Sequence, residues 1–121
     1  MKRLVFGEGL MVPVITGKKK ITLRKYREGA HDFVHNEIII GEFKDGLDIP
    51  LRITADTVKK RFARISDHEA QEDGFLDAED AFNGMGKYYE GLTGDDIAAV
   101  VRFEICLVEG VPAVAFNQHH L

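Results

Sequence analysis

Tryptophan is absent from this chain, and cysteine and serine occur once each, as Cys106 and Ser66. A single cysteine excludes an internal disulfide and fits a reducing, cytoplasmic setting. Cys106 lies in an apolar run, so the expectation is a buried, inert thiol rather than a nucleophile. Ser66 alone does not make a Ser/His/Asp triad and is better used as a helix cap. No apolar run approaches the roughly 18 to 20 residues that a membrane span needs, so no membrane partner is expected. The opening MKRLVFGEGLMVPV has a basic start, but Glu8 and two glycines interrupt its apolar run, and it does not read as a signal peptide. Metal motifs are missing too. His31, His35, His68, His119 and His120 form neither HExxH nor a Cys/His set, so neither metal nor cofactor is expected. Gly7-Glu8-Gly9 falls short of a phosphate-binding glycine loop.

What is present describes one globular domain over residues 1–121: 45% hydrophobic, 30% charged, with a formal charge of −4. The charge is unevenly spread. Six cations fall in the ten residues Lys18–Arg27 and more in 52–64, whereas 67–96 is dominated by Asp and Glu. Such asymmetry either builds one basic face or neutralises itself across the fold.

The apolar pattern predicts a strand at 2–6, a short helix at 10–16 ended by Gly17 in a left-handed conformation, and a strand from Lys20. In that strand Ile21 and Leu23 lie on one side. Lys20, Thr22, Arg24 and Tyr26 lie on the other, which reads as a polar outer face. Residues 27–36 read as loop. EIIIGEF (37–43) is a strand with Gly41 as a bulge or close-approach point, and Lys44-Asp45-Gly46 reads as a hairpin turn. Residues 49–65 are extended, with a slip of phase around Thr57. Ser66-Asp67-His68-Glu69 has capping-box spacing, and Gly74 closes that helix after about two turns. A second helix is predicted from Asp77 to about Tyr89, then a strand over 97–108. Residues 108–121 read as a C-terminal extension or extra hairpin strand, turned at Glu109-Gly110, with NQHHL frayed at the end. The order gives an α+β domain: a small, mostly antiparallel barrel with two or three short helices.

The chemistry-bearing stretch is TGKKKITLRKYR, 16–27. A lysine beside a threonine hydroxyl can serve as its base when burial or neighbouring cations depress its pKa. A carboxyl group on a nearby helix can protonate a leaving amine. The same residue types also suit a solvated basic strand, or a phosphate-binding surface made of Lys18, Lys20, Lys25, Arg27, Lys59, Lys60, Arg61 and Arg64, with Tyr26 or Phe62 for stacking.

Gly17-x-Lys19-x-x-Thr22-x-Arg24 resembles the GxKxxExR signature of the ASCH domain family, whose members adopt a PUA-like β-barrel. The resemblance runs from about Val12 to Leu107. With Thr in place of Glu, the signature is similar to that of the small N4-acetylcytidine amidohydrolases. The resemblance implies removal of an acyl group from an N4-acylated cytidine or related small amide. It implies Lys19 as base, Thr22 as nucleophile and Glu72 as proton donor, with Arg24, Lys20 and Tyr26 around a nucleoside-like substrate. The alternative it implies is an RNA-binding module contacting Lys18, Lys25, Arg27, Lys60 and Arg61. Two departures stand out: the family's usual Gly-Asp pair is Asn36-Glu37 here, and the tail after Cys106 is longer. Strand parity permits Lys19 to reach Thr22 only from the turn after Gly17, and an ammonium-to-hydroxyl approach within about 4 Å is expected.

Overall fold

In RLVF, period-two alternation sends Leu4 and Phe6 to one side of β1 (Arg3–Phe6), where both are buried. The structure, a computed structural model, describes residues 1–44, 46–108 and 111–112. Asp45 of the predicted hairpin turn, the Glu109-Gly110 turn and the NQHHL tail with His119 and His120 lie outside the described residues.

A short helix α1 (Met11–Ile15) follows β1, then β2 (Ile21–Lys25), β3 (Ile38–Phe43) and the long β4 (Asp48–Arg61). A 3-10 turn at Phe62–Arg64 leads into α2 (Asp67–Asp73) and α3 (Ala78–Gly86), which is shorter than predicted because its C-cap falls at Lys87. The chain returns through β5 (Ile97–Ile105). Beyond Cys106, β6 (Leu107–Val108) pairs antiparallel with β7 (Val111–Pro112). The five main strands form one curled sheet in the order β1-β3-β4-β5-β2, a half-barrel in which only β1 and β3 are parallel. The expected α+β, mostly antiparallel barrel is therefore what forms, left open along one seam between its edge strands β1 and β2.

Local chemistry sets the boundaries. Ser66 Oγ accepts the Glu69 N–H while Glu69 reaches back to the Ser66 N–H, completing the capping box, and Gly74 ends α2 at φ 111°. Gly17 takes φ 79°, as its place after α1 predicts. Asn36 takes φ 71°; asparagine is among the few side chains that tolerate this conformation. The slip in β4 is real: its register on β5 shifts between Ile53 and Ala55 and again before Val58. Thr57, at that irregularity, donates its hydroxyl to the His31 carbonyl and accepts the Phe33 N–H, tying the long loop to the sheet.

Two apolar clusters sandwich the sheet. Inside the half-barrel, Phe6 stacks on Phe43 at 4.8 Å and meets Phe103 edge-on, among Ile39, Leu51 and Val101. Outside, Ile21, Leu23, Ala98 and Val100 meet Ala70 of α2 and Ala81 and Met85 of α3. This corrects the reading of β2. The face carrying Thr22 and Arg24 is not the outer one: it looks into the barrel, because Thr22 is in register with Val101, while Ile21 and Leu23 face the helices. β2 is covered on both sides, so its polar residues are enclosed.

Gly41 is a close-approach point. A Cβ there would lie 2.8 Å from Leu51 Cδ1 and 3.0 Å from the Phe43 ring. Gly41→Ala is expected to cost about 1–3 kcal/mol by overpacking, read as a lower urea midpoint. An unchanged midpoint would show that Leu51 and Phe43 can yield.

Candidate functional site

Where the chain leaves α1, the Gly17 N–H donates to Val14 O and the Lys19 N–H to Pro13 O at 2.9 Å. This turn aims Lys19 inward rather than at water. In the described residues the buried polar or charged side chains are Lys19, 6% exposed, and Thr22, 4% exposed. Burying two such groups is unfavourable unless each is bonded, and both are.

The Lys19 ammonium pairs with Asp73 Oδ1 and also donates to the Asp73 carbonyl at 3.2 Å. Asp73 Oδ2 accepts the Leu23 N–H at 3.0 Å, so one carboxylate holds the lysine and caps the open edge of β2. The expected hydrogen bond from Lys19 to Thr22 is not formed: the ammonium is engaged by Asp73. Instead Arg24 Nε donates to Thr22 Oγ at 3.1 Å, and Arg24 Nη2 crosses the seam to Val5 O at 2.7 Å. The guanidinium lies over the Phe6 ring, 5.5 Å from its centroid. Thr22 is left with its own proton to donate.

The electrostatics follow from enclosure. Burial pushes the Lys19 ammonium below its ordinary 10.5, Asp73 opposes that shift and Arg24 adds to it. Burial also lowers Arg24, with Tyr89 and Asp73 pulling it back. Lys19, Thr22, Arg24 and Asp73 thus form one connected polar cluster at the inner edge of β2.

Glu72 is not part of it. Its carboxylate accepts from Arg102 Nη1 at 2.8 Å and Nη2 at 3.2 Å, with His68 3.3 Å away. Arg102 is in register with Ile21 and points to the helix side of the sheet, the face opposite Thr22. The Arg102 hydrogen bonds hold Glu72 below its ordinary 4.5 against the opposing effect of burial, so it rests as a carboxylate rather than a proton donor. Successive helix residues project about 100° apart. Glu72 therefore turns onto the sheet face while Asp73 turns to its edge. With the folded pKa depressed, the Glu72–Arg102 stabilisation is complete above 4.5 and fades as pH falls. Glu72→Gln is expected to flatten the acid limb of a plot of Tm against pH, and an unchanged limb would contradict this assignment.

The other predicted residues are dispersed. Tyr26 donates its hydroxyl to Asp32 at 2.9 Å beneath Lys59. Lys20 is exposed in a groove that Lys19 also lines, beside Gly17, Ile38, Arg52 and Cys106. Cys106 is half-buried rather than buried, and desolvation raises its thiol pKa. Lys60 pairs with Glu69 at 2.9 Å and Arg61 approaches Asp95 at 3.9 Å. Lys18 and Lys20 stand before β2, whereas Lys25, Arg27, Lys60 and Arg61 gather at its far end, so these cations do not make one patch. Among the described residues no three His, Cys, Asp or Glu side chains are grouped as metal ligands, and no helix is long and apolar enough to cross a membrane.

Asp73 and Tyr89 were missed at the level of sequence. One signal was available for Asp73: a carboxylate in the last turn of a helix opposes the macrodipole and needs a compensating cation. α2 has no basic residue in that turn, and Lys19 supplies the charge from elsewhere in the chain.

No family model matches the sequence, and no curated protein matches it. Solved structures do resemble the fold. Hypothetical protein PH0355 is 21% identical, with a TM-score of 0.67 over 86% of this chain and 98% of its own. Protein EF3133 from Enterococcus faecalis V583, of family DUF984, is 18% identical, with a TM-score of 0.63 over 88% of this chain and 76% of its own. An ASCH domain from Lactobacillus crispatus JV V101 is 16% identical, with a TM-score of 0.58 over 77% of this chain and 67% of its own. At these identities the likeness is one of fold: the chain has the architecture of an ASCH domain.

Proposed function

We propose that this chain is an amidohydrolase that removes the acyl group from an N4-acylated cytidine or a related small amide. The observation that carries the reading is the enclosure of Lys19 and Thr22, the two buried polar side chains of the described residues. Both fall on the signature positions that the resemblance assigns to base and nucleophile. Charge and hydroxyl buried together are costly to keep and are characteristic of sites where pKa values are tuned.

The reaction proceeds in two halves. Lys19 in its neutral form has no charge for Asp73 to hold and is released to take the Thr22 hydroxyl proton. Thr22 Oγ then attacks the acyl carbon, and the Arg24 Nε–H already directed at that oxygen stabilises its developing charge. Collapse breaks the C–N bond, the amine leaves with the proton carried by Lys19, and an acyl-threonine ester remains. Water attacks the ester, Lys19 accepts its proton, and the carboxylic acid departs as Thr22 Oγ is reprotonated. Glu72, assigned as the acid by resemblance, is replaced in this scheme by Lys19 as proton carrier, with Asp73 as the group that positions it. The steps call for no cofactor.

Incubation with N4-acetylcytidine, followed by chromatography for free cytidine, tests the reading. Release of cytidine at a rate that rises with pH is expected, because the base must be neutral. Absence of cytidine release across that range would exclude this substrate.

One observation favours RNA as a second reading: Lys18, Lys20, Lys25, Arg27 and Arg64 form no ion pair among the described residues. Binding of an oligoribonucleotide that weakens steeply with added salt would support it, whereas hydrolysis of a neutral nucleoside should barely respond to salt.

A further inference from the structure

Along the seam that Arg24 crosses, a concavity of about 370 Å³ opens between β1 and the loop that follows β2. Its size is at the small-molecule end of binding pockets. Four cations line it, Lys2, Arg3, Arg24 and Arg27, together with His31, and no Asp or Glu is among the lining residues. These cations are of two kinds. Lys2 pairs with Glu37 at 3.1 Å, and Arg3 is engaged by Glu42 and Asp48, so their charge is already answered. Arg27 has no ion pair among the described residues. Among the described residues Arg24 donates to the uncharged oxygens of Thr22 and Val5, which leaves further N–H groups of its guanidinium without a hydrogen-bond partner there.

His31 completes the donor set. Its Nδ1 accepts the Arg27 N–H at 3.0 Å, which places the proton of the neutral ring on Nε2, and Nε2 has no partner among the described residues. Burial first, then Arg24 and Arg27, push the imidazole below its ordinary 6.5, with Asp32 opposing. The positive field that discourages a proton here favours an anion. The loop is also held in advance: Asp32 accepts from the Gly29 N–H at 3.1 Å and from Tyr26, and Thr57 fixes the His31 carbonyl. Donors fixed in place lose little entropy when a ligand arrives.

We propose that this groove binds a phosphate monoester dianion, gripped by the Arg24 and Arg27 guanidiniums and the Nε2–H of His31. Forked guanidinium donors match the oxygens of a tetrahedral phosphate, and two of them balance its double charge. A single compact anion fits better than a polynucleotide backbone, because two of the four cations lining the groove, Lys2 and Arg3, are already paired with carboxylates. The site adjoins Thr22 through Arg24 but does not depend on hydrolysis there.

The test is an NMR titration of the full chain at fixed ionic strength with inorganic phosphate, cytidine 5′-monophosphate, cytidine, and a short oligoribonucleotide without terminal phosphate. Phosphate and the monophosphate are expected to shift the Arg27, Gly29 and His31 amides and the Arg24 Nε signal saturably, while cytidine leaves the Arg27 and His31 signals in place. Tighter binding of the monophosphate than of inorganic phosphate identifies a nucleotide as the source, and equal binding identifies free phosphate; each supports the site. Arg27→Gln, an exposed change, should weaken phosphate binding roughly tenfold, the loss of one charge-assisted contact, and His31→Ala should weaken it in the same direction. Unmoved signals at millimolar phosphate, or an Arg27→Gln variant that binds as well as the original chain, would overturn the proposal. So would tighter binding of the oligoribonucleotide than of the monophosphate. No turnover is read, so this result and the cytidine-release assay stand or fall separately.

Discussion

Replacing Asp73 by alanine is expected to lower stability by about 3–5 kcal/mol, the typical cost of removing one partner of a buried ion pair. The loss has two sources. The Lys19 charge is stranded in an enclosed site, and the Leu23 N–H on the open edge of β2 loses its acceptor. Against a total stability of about 5–15 kcal/mol for a domain of this kind, that is a large fraction. The direction of its pH dependence is fixed. In the variant the folded state disfavours the Lys19 proton more than the unfolded chain does, so stability should recover as pH rises toward the ordinary 10.5 of lysine. Adding Lys19→Met to Asp73→Ala should restore much of what the single change loses, because the unpaired charge is gone. Urea denaturation of the four members of this cycle measures the coupling. A single variant that loses less than about 1 kcal/mol, the range of exposed pairs, would mean that the pair is wetter than its 6% and 9% side-chain exposures imply.

The second large effect concerns turnover. If Thr22 is the nucleophile, Thr22→Ala should reduce kcat/KM for N4-acetylcytidine by at least about a thousandfold. Tm should fall as well, because the enclosed Arg24 Nε–H loses its acceptor, a loss of about 1–3 kcal/mol. Thr22→Ser, which keeps an oxygen for Arg24 Nε to bond, should retain measurable activity. Lys19→Met should fall to a similar floor, and the double variant should be no worse than either single one, because nucleophile and base act as a unit. The rate of the unaltered chain should climb with pH and level off below the ordinary lysine pKa, since burial depresses Lys19. Hydrolysis that survives Thr22→Ala would remove the threonine from the mechanism. A flat pH profile would remove the lysine.

Much of this fold was legible because its punctuation is local. The capping box at Ser66 and Glu69, the left-handed glycines 17 and 74, and the phase slip at Thr57 depend on neighbours within a few residues, and each is found as the residue pattern implies. The alternation of β2 was legible too, but its two faces were assigned the wrong environments. Ile21 and Leu23 identify a buried face; nothing in residues 20–26 shows that helices cover that side and a barrel encloses the other. The site was half legible for the same reason. Lys19, Thr22 and Arg24 are set by one turn and one strand. The carboxylate that meets them is set by how α2 docks on the β2 edge, and a single residue of helix rotation decides between Glu72 and Asp73. No periodicity encodes that docking.

Among the described residues the seam strand β2 pairs with β5, which follows it only after β3, β4, α2 and α3, and Asp73 comes from a helix between them. On a ribosome, β1, β3 and β4 can therefore pair while β2 still waits for its neighbour. A nascent chain stalled after α3 would expose a strand edge flanked by Ile21 and Leu23, an opening for chaperones to recognise. The polar cluster at the β2 edge therefore cannot be complete before β5 has been made.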